Sequence, residues 1–271
     1  MTTLTADNVG TLALGGELEV RRLGFGAMRL TGDGIWGEPA DREECQRVLR
    51  RALELGINLI DTADSYGPEV SENLIAETLH PYPDDLVIAT KGGFLRDGPN
   101  QWRPDGRPEH LKQACEGSLQ RLKLERIDVY QLHRPDPRVP YEESVGAIKE
   151  LQDEGKIRLA GVSNVNLDQL ATARSILDVV TVQNRYNLTD RNSEDVLDAC
   201  EENGIGFIPW APLDAGRSEV PHEIALAWLL QRSPVMLPIP GTSSVEHLEE
   251  NVRAAEIDAD TLAEAVSRIG L

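Results

Sequence analysis

Eight times along the chain a short apolar run gives way to an amphipathic helical pattern, and this alternation is the tightest constraint the sequence sets. The apolar runs fall at 22–26, 58–61, 86–90, 127–132, 157–161, 179–183, 206–210 and 235–238. Helical periodicity follows over 41–55, 71–79, 107–122, 141–154, 168–176, 193–203, 221–231 and 244–255, with a last helix over 261–269. Asp41 and Ser71 are placed to cap the first two helices, and Gly56 stops the first. Runs bounded this way read as parallel strands joined by crossover helices. Eight units predict an α/β fold of the closed (β/α)8 barrel type, as one domain over 1–271. An open doubly wound sheet would bring a GxGxxG turn, and none occurs. Ahead of the first unit, two alternating runs flank Gly15-Gly16 within 11–22, which reads as a β-hairpin. Two loops stand out: a Gly-rich one at 31–39 carrying Trp36, and a long one at 92–108.

Charge narrows the partners. The net charge of −19 opposes binding to nucleic acid, which needs clustered Lys and Arg. The longest apolar runs are too short to span a bilayer, and the N-terminus lacks a basic region and an apolar stretch of the secretory kind. Cys45, Cys115 and Cys200 form no CxxC pair and sit at helical spacing among apolar neighbours, which reads as core packing in a reducing, cytoplasmic setting. The five histidines show no HxH or HExxH spacing, so no metal site is expected. A monomer is the simplest expectation.

In such a barrel the chemistry sits at the C-terminal ends of the strands. Asp61, Lys91 and His133 end the second, third and fourth runs, and Tyr66 follows in the loop after the second. Taken singly, each has a plainer reading: a turn aspartate, a packing tyrosine, a solvated lysine, a structural histidine. Together they make chemical sense. Of five lysines only Lys91 ends an apolar strand, and a buried ammonium needs a partner such as Asp61. A nearby ammonium should lower the pKa of a phenol, and a histidine can donate to an oxygen gaining negative charge. That set suits protonation of a carbonyl oxygen while hydride reaches the carbon.

The motifs LGFGAMRL (23–30), DTADSYG (61–67), ATKGG (89–93), VYQLHRPD (129–136), GVSN (161–164), VQNRYN (182–187), PWAPL (209–213) and PIPGTSSVEHLEEN (238–251) follow one another in the order of the aldo-keto reductases, which the chain resembles over nearly its whole length. The resemblance implies a (β/α)8 barrel with the hairpin over its bottom, and reduction of aldehydes or ketones by NADPH. It makes Tyr66 the proton donor, Lys91 and Asp61 its tuners and His133 the group orienting the carbonyl. Ser163, Asn164 and Gln183 would bond the nicotinamide carboxamide, and Trp210 would stack on its ring. Further cofactor contacts fall to Gly26, Ala27, Met28, Ala211, Pro212 and Leu213. Gly241, Thr242, Ser243 and Ser244 would receive the adenosine phosphate, and Glu250 and Asn251 would hold the adenine. Met28, Trp36, Tyr66, Phe94, Trp102, His133 and Trp210 would wall a pocket for a small hydrophobic or aromatic carbonyl compound.

Two departures from the family pattern carry expectations. A lysine and an arginine commonly flank the 2′-phosphate, but here hydroxyls replace them and His247 stands where the arginine falls. The preference for NADPH over NADH should therefore be narrow. The segment 214–220 is short, which predicts easy cofactor exchange, and Arg217 is its one basic residue and a candidate pyrophosphate contact. Two rival readings remain: a non-catalytic nucleotide-binding regulatory subunit of the same fold, and a barrel enzyme using Lys91 as a Schiff base.

Overall fold

Seven parallel strands and an eighth extended segment enclose an apolar interior. The computed structural model describes residues 4–213 and 220–269. A hairpin of β1 (Thr11–Leu14) and β2 (Leu18–Arg21) comes first. The parallel strands are β3 (Phe25–Gly26), β4 (Leu59–Asp61), β5 (Val87–Gly92), then β8 (Ile127–Leu132), β9 (Ile157–Ser163), β10 (Val179–Arg185) and β11 (Gly206–Trp210). Each pairs with its sequence neighbour in this list, from β3 at one edge to β11 at the other. Helices α1 (Arg42–Glu54), α2 (Val70–Leu79), α3 (Pro108–Leu122), α4 (Tyr141–Asp153), α5 (Leu167–Arg174), α6 (Glu194–Glu202), α7 (His222–Arg232) and α8 (Val245–Val252) return the chain between strands, and α9 (Ala259–Ile269) follows.

The segment 235–240 fills the eighth place, but as isolated bridges rather than a ladder. Phe207 N donates to Val235 O and Leu237 N to Phe207 O, both at 2.8 Å, on the β11 side. On the other side Gly24 N donates to Pro238 O at 3.0 Å and Gly26 N to Pro240 O at 3.5 Å. Prolines have no N–H, so residues 238 and 240 can only accept. The strand expected at 235–238 is thus a seam. A Cβ on Gly26 would lie 2.6 Å from Ile239 O, and one on Gly241 would lie 2.5 Å from Gly26 O. The seam closes only because both residues are glycine.

The hairpin plugs the N-terminal end of the barrel. Leu14 and Val20 pack with Leu59, Val87, Leu159, Val180 and Ile208 in one buried cluster. Asn58 fixes the register by accepting from Arg21 N at 2.8 Å and donating to Glu19 O at 3.0 Å. The opposite end is left for the site.

Two local expectations differ from the structure, and one helix gains a cap. The segment 92–108 is not an open loop: β6 (Phe94–Gly98) and β7 (Gln101–Pro104) form a hairpin across Pro99-Asn100, with Asn100 at φ 56°. Its alternating side chains and turn residues carry that signal. Ser71 is not the cap of α2, which starts at Val70 after Glu69 at φ 68°. The buried Ser71 hydroxyl instead bonds Ala27 O and Thr62 Oγ1. Helix α5 is opened by Asn166, whose side chain accepts from Gln169 N while Gln169 accepts from Asn166 N.

Candidate active site

Asp61, at the end of β4, accepts three hydrogen bonds, one from each of three other strands, and is only 2% exposed. Its Oδ1 accepts from Lys91 Nζ at 2.5 Å. Its Oδ2 accepts from Gln131 Nε2 at 3.2 Å and from Gln183 Nε2 at 2.9 Å. Lys91, fully buried on β5, also donates to Thr62 O at 2.7 Å. Burial alone would pull the pKa of the ammonium down, but Asp61 and the Tyr66 oxygen outweigh it and lift the lysine above its ordinary value.

Lys91 Nζ stands 5.2 Å from the centroid of the Tyr66 ring. The phenol behaves otherwise than the sequence suggests. Burial pushes its pKa up, Lys91 pulls it down and Asp61 pushes it up again, leaving it above the ordinary phenol value. The expected net lowering is therefore absent: the ammonium's pull is present, but desolvation of a phenolate is larger. The result keeps the proton on the oxygen at neutral pH.

His133 follows β8 and packs edge-on against Tyr66, with ring centroids 5.8 Å apart. Ser65 Oγ lies 3.4 Å from its Nδ1. Burial, then the Lys91 and Arg134 charges, hold its pKa well below that of free imidazole, so the ring is neutral.

The four groups open into a cavity of about 740 Å3. One wall comes from the β6–β7 hairpin, where Phe94 and Trp102 face inward with Pro104. Phe94 lies 4.6 Å from the His133 ring and 5.4 Å from Trp102, centroid to centroid. Arg96 fastens this wall. Its guanidinium stacks 3.7 Å from the Trp102 ring centroid and donates to the carbonyls of Gly34, Ile35 and Ser65 at 2.8–3.0 Å. The hairpin, the 31–39 loop and the loop bearing Tyr66 are thereby one unit.

The cavity runs from Tyr66 past Met28, Ser163, Asn164, Gln183 and Trp210 to Ala211, Pro212, Leu213, Gly26 and Gly241. Asn164, at φ 60°, donates to His133 O at 3.1 Å and accepts from Trp210 Nε1 at 3.0 Å. Ser163 Oγ donates to Gln183 O at 2.7 Å.

Several expected site residues lie off this cavity. Trp36 does not line it; Ile35 does, while Trp36 sits 5.6 Å from Arg96 beside Gly67. The Ala27 side chain is buried in the core under α1. Thr242, Ser244, His247, Glu250 and Asn251 cluster instead around the start and inner face of α8. Thr242 Oγ1 accepts from Ser244 N at 3.1 Å, and Ser244 caps α8 by accepting from His247 N. Ser243 and His247 are exposed, Glu250 is half-buried, and Asn251 is buried with its Oδ1 unpartnered. Arg217 lies outside the described residues.

The sequence reading missed Gln131, Arg96 and Arg134. Gln131 was detectable as a lone amide inside the apolar run IDVYQL, and Arg134 as the residue after His133 at the cavity wall. No long apolar helix fit to cross a membrane occurs among the described residues.

A parallel barrel with a buried carboxylate, ammonium, phenol and imidazole gathered at the C-terminal strand ends defines an oxidoreductase of the barrel type. Comparisons with known proteins name the group. The Aldo/keto reductase family model matches residues 22–220 and 217–268. An uncharacterised oxidoreductase of Schizosaccharomyces pombe is 52% identical over 93% of this chain and 87% of its own. Pyridoxine 4-dehydrogenase of Escherichia coli is 42% identical over 89% of this chain and 92% of its own. Among solved structures, the holo form of an aldo-keto reductase from Bacillus halodurans superposes with a TM-score of 0.81 at 28% identity, over 95% of each chain. One from Klebsiella pneumoniae in complex with NADPH gives 0.77 at 27% identity, over 95% of this chain and 94% of that one. The chain belongs to the aldo/keto reductase family.

Proposed function

We propose that the protein reduces aldehyde or ketone groups of small molecules with NADP(H), and that Tyr66 is the proton donor. The observation that carries this reading is the buried chain Asp61–Lys91–Tyr66 with a neutral His133 beside it. The whole chain acts as one unit in this reading, in the cytoplasm, with its three cysteines buried and unpaired.

The residues present fit a nicotinamide dinucleotide. The Gly26–Gly241 approach leaves a backbone cradle where a side chain would collide, and the buried Asn251 Oδ1 beyond it lacks a partner. Gln183 donates to Asp61, which leaves its carbonyl oxygen to accept from the carboxamide N–H, while Ser163 and Asn164 spend their donors within the protein and offer only their oxygens. Trp210, held by Asn164, offers a ring face, and the segment from Gly241 to Ser244 offers its hydroxyls and the Ser243 N–H for phosphate. When bound, the cofactor supplies hydride to the carbonyl carbon.

The chain's own residues govern the proton. A substrate carbonyl between Tyr66 and His133 would accept from the phenol O–H and from an imidazole N–H. Accepting at Nδ1 from Ser65 would leave His133 with its proton on Nε2. As charge develops on the substrate oxygen, the phenol proton moves to it. The phenolate left behind is stabilised by Lys91, which Asp61 and Thr62 O hold in place, Asp61 being fixed in turn by Gln131 and Gln183. Phe94, Trp102 and Met28 give the site apolar walls.

Loss of nicotinamide absorbance with NADPH and with NADH tests this. Pyridoxal is a sensible first aldehyde, given the relative that is a pyridoxine 4-dehydrogenase. Tyr66→Phe should remove turnover while nucleotide affinity stays. Wild-type binding of nucleotide without turnover of any aldehyde would favour the regulatory reading instead. Borohydride trapping of substrate on Lys91 would favour the Schiff-base enzyme.

A further inference from the structure

We propose that Glu44 sets the cofactor preference of this enzyme by holding down its affinity for the 2′-phosphate of the adenosine. The inference rests on the reading that the segment leading into α8 receives that phosphate.

Glu44 belongs to α1, and its backbone N–H is fixed by the Asp41 cap at 2.8 Å. Its side chain crosses to α8, where Oε1 accepts from Val245 N at 3.0 Å. Val245 is the first residue of that helix. The free N–H groups of a first turn, with the positive end of the helix dipole, are what an anion would use there. A carboxylate from another helix already holds one of them. Two further N–H groups are spoken for, Ser244 N by Thr242 Oγ1 and His247 N by Ser244 Oγ.

The two α1 guanidinium groups on the Glu44 side of this turn are engaged too. Arg47 pairs with Glu44 at 2.6 Å, and Arg51 pairs with both Glu249 and Glu54. The Val245 N–H and Arg47 together hold Glu44 below the usual carboxylate range, so it is charged at neutral pH. A phosphate dianion arriving at this turn meets hydroxyls and N–H groups already in use, beside a fixed negative charge. A ribose 2′-hydroxyl meets no such penalty, since it can donate to the carboxylate. The pocket therefore tolerates a cofactor without the phosphate.

Calorimetric titration of the full chain with adenosine 2′,5′-bisphosphate and with 5′-AMP reads the effect directly. Glu44→Gln keeps an acceptor for Val245 N and removes the charge. It should tighten the bisphosphate roughly fivefold, by the Coulomb energy of two charges near water, and leave 5′-AMP within about twofold. The gain should shrink as salt is raised. Arg47→Met unmasks Glu44 and should act in the opposite direction, weakening the bisphosphate alone. Equal changes for both ligands, or none in either variant, would overturn the proposal. Thr242→Val separates it from the reading beneath it. If Thr242→Val weakens the bisphosphate selectively while Glu44→Gln does nothing, the phosphate site stands and the role of Glu44 falls. If Thr242→Val leaves the ratio of the two affinities unchanged, the phosphate lies elsewhere and both fall.

Discussion

Lys91 and Asp61 meet at 2.5 Å on adjacent strands, with the ammonium fully buried and the carboxylate nearly so. Neither can be removed cheaply, because each would leave the other as an unpaired charge. Lys91→Met should lower stability by about 3–5 kcal/mol, and Asp61→Asn by a similar amount. The double variant should cost clearly less than the sum, because no lone charge remains. Denaturant melts of the four proteins check this. Additive losses would mean that the pair is not coupled.

The pH profile follows from two opposed shifts. Burial, with Lys91 and Arg134, keeps His133 neutral below the ordinary imidazole range, and burial keeps the Tyr66 proton on above the ordinary phenol range. Both groups are in their working form throughout neutrality. The kcat/KM for carbonyl reduction should be flat from about pH 6 to 9 and fall only on the alkaline side. A break near pH 6.5 that disappears in His133→Gln would show that the imidazole titrates there.

Asp64 gives a second pH signature, in stability. Burial and the Glu72 carboxylate push its pKa up to about 8, against the pull of Arg121. Its Oδ1 has no partner, though the residue as a whole is partly exposed. A raised carboxyl binds its proton more tightly when folded. Its contribution is complete below the ordinary aspartate pKa and is lost as pH rises through about 8. Asp64→Asn should therefore melt close to wild type at pH 4 and higher than wild type at pH 9. Equal melting differences at both values would assign the effect to packing alone.

Arg96 touches no catalytic group, yet it ties Trp102 to the carbonyls of Gly34, Ile35 and Ser65. Arg96→Met should loosen the aromatic wall and reduce kcat/KM for bulky aldehydes on the order of tenfold to a hundredfold, the range expected for small misplacement of a bound substrate. Nucleotide affinity, measured by fluorescence titration, should hold. Equal loss of both would point to a collapse of the whole site.

The barrel was legible because eight units repeat one pattern, and the strand ends Asp61, Lys91 and His133 followed from it. The eighth strand was legible in place but not in kind, since two prolines cannot donate to a neighbour. The partners of Asp61 were half legible. Gln183 came from the family resemblance, while Gln131 sits in a run whose neighbours are apolar and betrays its role only when β8 is laid beside β5. Trp36 and Ile35 are consecutive, and nothing in the local sequence says which one turns inward. The net direction of the Tyr66 shift depends on how deeply the ring is buried, and Trp102, which packs on its edge, belongs to the β6–β7 hairpin that reads from sequence as a loop.

The seam at 235–240 has a consequence for how the molecule holds its shape. Elsewhere the hoop of strands is riveted by ladders, with one irregularity between Val179 and Thr181, but here two glycines and two prolines leave only sparse fastening. Gly26 and Met28 stand on one side of that gap and Gly241 on the other, both along the path proposed for the dinucleotide. A dinucleotide lying across them would act as a splint, so that the loaded barrel is tighter than the empty one at the very place where the cofactor must come and go.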